Sequence, residues 1–210
     1  MSKKLKLTAN RRKVLQMMAI GGASAAYLQG YPHMAAKAQS NSKGYGQDVD
    51  VNNPVVTWDK TLNNNQLKNL VVIGDLIIPA DDNSPSASYL DITDFINEWV
   101  SAPYPDQQED RKTITEGLVR LDKAANAFGK RYFYSLDAQS QAKLFDDLAK
   151  MVAEDSANEN DKRFFDRLVY LYVGGFYTTD EGMADIGYVG NVPLEKFDGP
   201  PEEIRKLIGV

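Results

Sequence analysis

The sequence predicts a mostly α-helical fold, a single irregular domain of about five to six helices with a loop-rich C-terminal tail. Three observations predict it. Apolar residues recur at the three- and four-residue spacing of a helix face in successive stretches. No stretch of useful length alternates apolar and polar residues as a half-buried strand does. From Thr178 onward Gly, Pro and Asp dominate, which predicts irregular chain.

The elements follow in order. Structure is expected to begin near Val55-Val56-Thr57-Trp58. The dense apolar run from Leu67 to Ile78 suits a buried helix ended by Pro79. Residues 80–86 form a loop. Asp91 is placed to cap the next helix, where Ile92, Phe95, Ile96, Trp99 and Val100 share one buried face. Ala102-Pro103-Tyr104-Pro105 breaks the chain. A long helix over 107–128 follows, with Ile114, Leu118, Leu121, Ala125 and Phe128 on its inner face and Gly129 as terminator. Ser135 or Asp137 opens another helix, with Leu144, Phe145, Leu148, Met151 and Val152 apolar. After a polar stretch, 154–162, the last long helix carries the stripe Phe165, Leu168, Val169, Tyr172 and Phe176. Pro201 starts a short final helix.

The N-terminus has a different character. Lys3, Lys4, Lys6, Arg11, Arg12 and Lys13 precede an uncharged, mostly apolar stretch, 14–28, and Ala36-Lys37-Ala38 offers a small-x-small cleavage site at Ala36 and Ala38. These are the parts of an export signal. The apolar stretch falls short of the ~20 residues of a permanent membrane helix and is interrupted by glycines. The stretch Asn10-Arg11-Arg12-Lys13-Val14-Leu15 resembles the twin-arginine consensus, whose translocase carries folded cargo. The expected organisation is a signal over 1–38, a polar, flexible linker over 39–54 and a helical domain over 55–210. The expected location is the periplasm. An uncleaved signal would instead leave a tethered interaction protein, and N-terminal sequencing of exported protein decides between the two.

Cleavage would change the charge. Residues 1–38 hold seven of the 24 basic residues and none of the 29 acidic ones, so the remainder carries 17 against 29, a net charge of −12. That argues against nucleic acid, whose affinity rests on basic charge. The chain has no cysteine, and its single histidine is His33, inside the signal. The remaining domain therefore has no thiolate or imidazole for metal, haem, iron–sulfur or triad chemistry.

Other candidate chemistry is thin. Asp48-x-Asp50-x-Asn52 starts like a calcium loop but lacks the required glycine and the closing glutamate, and it reads as solvated linker. The carboxylates Asp146, Asp147, Glu154, Asp155, Asp161 and Asp166 suit solvated helix faces better than an acid–base pair. Gly174-Gly175 and Gly187-x-x-Gly190 do not form a dinucleotide fingerprint. No catalytic, cofactor-binding or metal-binding residue is assigned. The aromatic concentration at Phe164, Phe165, Tyr170, Tyr172, Phe176 and Tyr177 suits core in part and a partner surface in part.

Several stretches, taken in order, resemble one family. Gly74-Asp75-Leu76-Ile77-Ile78-Pro79-Ala80-Asp81 is similar to the "D-x-I-I-P-x-D" helix and loop of the gluconate 2-dehydrogenase subunit 3 family. Gly117-Leu118-Val119-Arg120-Leu121-Asp122, with Gly129 and Phe133, resembles its central helix. Phe164-Phe165, the run Gly174 to Gly182 and the turn Gly187-Tyr188-Val189-Gly190 resemble its C-terminal motifs, with Phe176 where a tyrosine is usual. The resemblance implies a small, gamma-type subunit without its own cofactor. It implies an FAD-dependent catalytic partner of the glucose–methanol–choline type, exported on this chain's signal, and commonly a multihaem cytochrome c with haem c as electron acceptor. The complex would be periplasmic or membrane-associated. Within it, the resemblance and the aromatic cluster together assign Phe164, Phe165, Tyr172, Phe176, Tyr177, Thr178, Gly182, Tyr188 and Gly190 to the partner interface. The competing reading is a stand-alone periplasmic hydrolase or ligand-binding protein that works through carboxylates.

Overall fold

The computed structural model describes residues 55–188, together with 52, 190, 196, 199, 202, 205, 206 and 209. The signal, nearly all of the linker and the helix expected at Pro201 lie largely outside the described residues. Among the described residues there are six α-helices and no strand. They are α1 (Asn64–Ile77), α2 (Ile92–Ser101), α3 (Pro105–Ala125), α4 (Ala138–Ala153), α5 (Glu159–Phe176) and α6 (Asp180–Asp185). Two 3₁₀ turns, Asn126–Phe128 and Phe133–Ser135, bridge α3 to α4.

Local sequence explains most boundaries. Asn63 and Gln66 form a reciprocal capping box at the start of α1. Pro105 is the first residue of α3, where its missing N–H costs nothing. The Asp137 and Asn158 side chains accept from Ser140 N and Asp161 N to open α4 and α5. Gly129, at φ 70°, takes the left-handed conformation that ends the 3₁₀ turn after α3.

Three expectations need correction. Asp91 does precede α2, but at φ 52° its side chain makes no capping bond. Phe95, though it packs against Gly175 of α5, stays 39% exposed, and Phe128, which falls in the 3₁₀ turn after α3 rather than on the helix itself, is 43% exposed. The chain after Thr178 is not wholly irregular. Thr179 accepts from Gly182 N and, with Asp180 and Glu181 in the first turn, starts the short helix α6.

The core is one cluster built around α3 and α5. Ile114, Leu118, Leu121 and Ala125 of α3 share it with Phe164, Leu168, Leu171 and Tyr172 of α5, and α2 packs on both helices. Glycines set the close approaches. On α3, a Cβ at Gly117 would stand 2.0 Å from the Phe164 ring. On α1, a Cβ at Gly74 would stand 2.7 Å from the Tyr172 ring, whose hydroxyl donates to Leu70 O at 2.7 Å. Burial raises the pKa of that phenol, so the hydroxyl keeps its proton.

Buried polar groups tie the loops to this core. Asp122 on α3 accepts from Asn69 Nδ2 and from Phe133 N, both at 2.8 Å, while Tyr134 N donates to Asn69 Oδ1 at 2.9 Å. Asn69 is wholly buried. Asp122→Ala would orphan two donors, each costing about 1–3 kcal/mol when buried and unpaired. A loss of about 2 kcal/mol in urea unfolding is the expected result. A loss below about 0.5 kcal/mol would show that water replaces the carboxylate.

Candidate functional site

The stretches that carry the resemblance can now be read for what they do. In the first, Asp75 accepts from Ser88 N and Oγ at 2.9 and 2.8 Å. Asp81 accepts from Asn83 N and Ser84 N, both at 2.9 Å, and so shapes the turn after Pro79. In the second, Gly117 seats Phe164, Arg120 pairs with Asp161 at 2.6 Å, and Asp122 anchors the 133–134 backbone. In the third, a Cβ at Gly175 would stand 2.9 Å from Phe95, and one at Gly182 would stand 2.0 Å from Phe176 O. These motifs hold helices and loops together. Asp75, Asp81 and Asp122 accept from backbone N–H groups, the Ser88 hydroxyl and the Asn69 amide, an arrangement that fixes local geometry.

The residues assigned to a partner interface separate into two groups. Phe164, Tyr172 and Phe176 are 0–1% exposed and belong to the core of this chain. Phe165 is half-buried and packs against Phe145 with centroids 5.5 Å apart and the rings tilted by 40°. Gly182 is buried beneath the α5 C-terminus. These side chains can meet another protein only if the fold opens. Thr178, Tyr188 and Gly190 are exposed, and Tyr177 is half-buried with its ring edge-on to Phe176. The structure therefore brings only the C-terminal margin of the cluster to the surface.

Sequence reading missed an aromatic seam between α2 and α5. Phe95 is 39% exposed and Tyr170 46%, with Trp99 half-buried beside Phe95. Beneath them lies a polar node. Asp110 Oδ2 accepts from Trp99 Nε1 at 2.7 Å and from the Arg167 guanidinium. Arg167 also lies over the Tyr170 ring, 4.7 Å from its centroid. The signal was available, since Asp110 and Arg167 occupy the apolar faces of α3 and α5, positions where a charge needs a partner.

The candidate carboxylates are drawn into ion pairs. Asp147 meets Lys143 at 2.6 Å, Asp155 meets Lys162 at 2.8 Å and Asp161 meets Arg120. Partial burial pushes the Asp146 and Asp166 carboxyls upward. Among the described residues no group of three or more His, Cys, Asp or Glu could hold a metal ion. Gly174 and Gly175 lie inside α5. Arg11, Arg12, Ala36 and Ala38 lie outside the described residues. Among the described residues no helix is long and apolar enough to cross a membrane.

The chain matches no curated protein and no solved structure. Its residues 64–199 match the family model described as "Gluconate 2-dehydrogenase subunit 3". The match begins at the first residue of α1 and spans all six helices. The chain belongs to the gluconate 2-dehydrogenase subunit 3 family.

Proposed function

We propose that this chain is the non-catalytic small subunit of an FAD-dependent dehydrogenase of the glucose–methanol–choline type, which oxidises a sugar, polyol or sugar acid. It binds and stabilises that subunit, and its N-terminal segment takes the pair through the twin-arginine translocase to the periplasm. The observation that carries this reading is the family match over residues 64–199. Two features of the sequence support it. Arg11-Arg12 stands at the head of a segment with no acidic residue through Ala38, and no histidine or cysteine occurs after that point. FAD, and haem c where a cytochrome subunit takes the electrons, belong to the partners. The contact with the flavin subunit includes Tyr177, Thr178, Tyr188 and Gly190, continued by the exposed Phe95 and Tyr170.

The test uses the signal. Replacing Arg11 and Arg12 by Lys keeps the charge but removes the twin-arginine pair. The expected result is loss of both this chain and the FAD dehydrogenase activity from the periplasmic fraction, with flavoprotein accumulating in the cytoplasm. If only this chain is retained and dehydrogenase activity is exported as before, the escort role is wrong. If neither is retained, the twin-arginine assignment is wrong.

A further inference from the structure

One face of the domain runs against its overall acidity. From Thr61 through Gly74 the chain has no acid and one cation, Lys68. From Val119 through Tyr134 it has Arg120, Lys123, Lys130 and Arg131 against a single acid, Asp122, whose carboxylate is turned inward to Asn69 and Phe133 N. These two stretches meet in space. Lys68 lies over the Tyr134 ring, 5.2 Å from its centroid. Tyr134 stacks on Tyr132 with centroids 5.3 Å apart and planes within 9° of parallel. Arg131 lies over Tyr132, again at 5.2 Å. The result is a cation–ring–ring–cation ladder. Lys68, Lys130 and Arg131 are exposed and meet no carboxylate among the described residues, whereas Arg120 is paired with Asp161. The nearest acid in sequence, Asp137, has both oxygens occupied by Ser140 at the α4 cap.

Beside the ladder runs a shallow groove of about 410 Å³ lined by Asn64, Leu67, Lys68, Val71, Val72 and Tyr134. Val71 is 40% exposed there. An apolar floor with a rim of tyrosine and cations has the composition of a protein interface, where Tyr and Arg are enriched. Both tyrosines are engaged by each other and by a cation, which disfavours a sugar-stacking platform. The face is also poorly suited to an anionic membrane. Each cation near such a surface contributes only about 1 kcal/mol, and the acidic remainder of the domain is repelled.

We infer that the Lys68–Tyr134–Tyr132–Arg131 face is a docking surface for an acidic protein segment that presents an apolar side chain to the Val71 groove. Resting on the function proposed above, the partner bearing that segment is the flavin subunit. The pairing is electrostatic at the rim, so it speeds encounter and weakens as salt screens it.

The test compares tagged full-length chain with the charge-reversed Lys68→Glu/Lys130→Glu/Arg131→Glu variant and the milder Lys68→Gln/Arg131→Gln variant, each expressed with the complex. The readout is flavin subunit retained, identified by its bound FAD absorbance, across a salt titration. Thermal melts monitor folding. We expect the reversed variant to bind about tenfold more weakly at low salt and to converge with wild type at high salt, with the neutral variant between them. Retention of the flavin subunit by both variants at the wild-type level and with the wild-type salt dependence overturns the inference while leaving the subunit role intact. Ladder-dependent binding to vesicles of phosphatidylcholine and phosphatidylglycerol, with flavin retention unaffected, overturns it in favour of lipid. If wild type retains no flavin subunit at any salt concentration, the subunit role fails and this docking assignment falls with it.

Discussion

Gly117→Ala should lower the stability of this domain by about 3 kcal/mol, the upper part of the range for overpacking a filled core. The new methyl carbon would stand 2.0, 2.2 and 2.5 Å from three carbons of the Phe164 ring. Alanine in a helix interior is worth about 1 kcal/mol over glycine, so propensity alone predicts stabilisation. The clash decides the sign, because Phe164 is 1% exposed between α3 and α5 and has no room to swing. At about 2–4 °C per kcal/mol for a domain of this size, the melting temperature should fall by roughly 10 °C. Gly174→Ala supplies the opposite control. Gly174 is also helical but exposed, and its added Cβ meets nothing within 4 Å. That substitution should stabilise by about 0.5–1 kcal/mol. Phe164→Leu, which shortens the ring's reach, should recover part of the Gly117→Ala loss, so that the double variant is more stable than the sum of the singles. Equal melting temperatures for wild type and Gly117→Ala would mean that α3 and α5 do not pack as described.

The contrast between these glycines shows where the sequence is legible and where it is not. Helices were readable because each depends on a local rule. The stripe Ile114, Leu118, Leu121 and Ala125 repeats at helical spacing, Asp137 can cap, and Gly129 can turn left-handed. Which aromatic residues are core was not readable from that periodicity. The stripe read for α2 includes Phe95, and the one read for α5 includes Phe165 rather than Phe164, yet Phe95 is 39% exposed and Phe164 1%. The difference lies in what faces them, and Gly117 faces Phe164 across 47 positions of sequence. The same cause corrects the interface assignment. An aromatic-rich helix end suggested a partner surface, but Tyr172 and Phe176 are taken up by Gly74, Leu70 and the α6 turn. The family resemblance was legible because its motifs are the close approaches and loop anchors of the fold. For that reason it says little about the surface that a partner meets. Surface chemistry emerges only when α1 and the 119–134 stretch are brought together, as in the tyrosine ladder.

Arg167 and Asp110 should show the second large effect, with a pattern that tests why a charge pair sits in this core. Their side chains are only 10% and 13% exposed. Removing one partner from a buried pair strands the other charge and typically costs about 3–5 kcal/mol. Arg167→Met keeps most of the side-chain volume, so its loss should come mainly from the unpaired Asp110 carboxylate rather than from a cavity. Asp110→Leu should cost a similar amount by stranding the guanidinium and the Trp99 indole N–H. The double variant Asp110→Leu/Arg167→Met buries apolar groups where the pair stood. It should lie within about 1–2 kcal/mol of wild type, because the desolvation of two charges largely cancels their attraction. Urea unfolding supplies the energies. Of the two tryptophans, Trp58 donates to Glu98 O on α2, while Trp99 donates to Asp110. A change of emission in the folded Asp110→Leu protein would therefore report the lost indole bond at Trp99. Strict additivity of the two single losses would mean that the guanidinium and carboxylate do not interact. The cycle also bears on the surface above, since Arg167 holds Tyr170 from beneath at 4.7 Å. If the double variant keeps its stability but retains less of the proposed flavin subunit, the pair's contribution lies in placing Trp99 and Tyr170 for a partner, a role that an apolar replacement cannot supply.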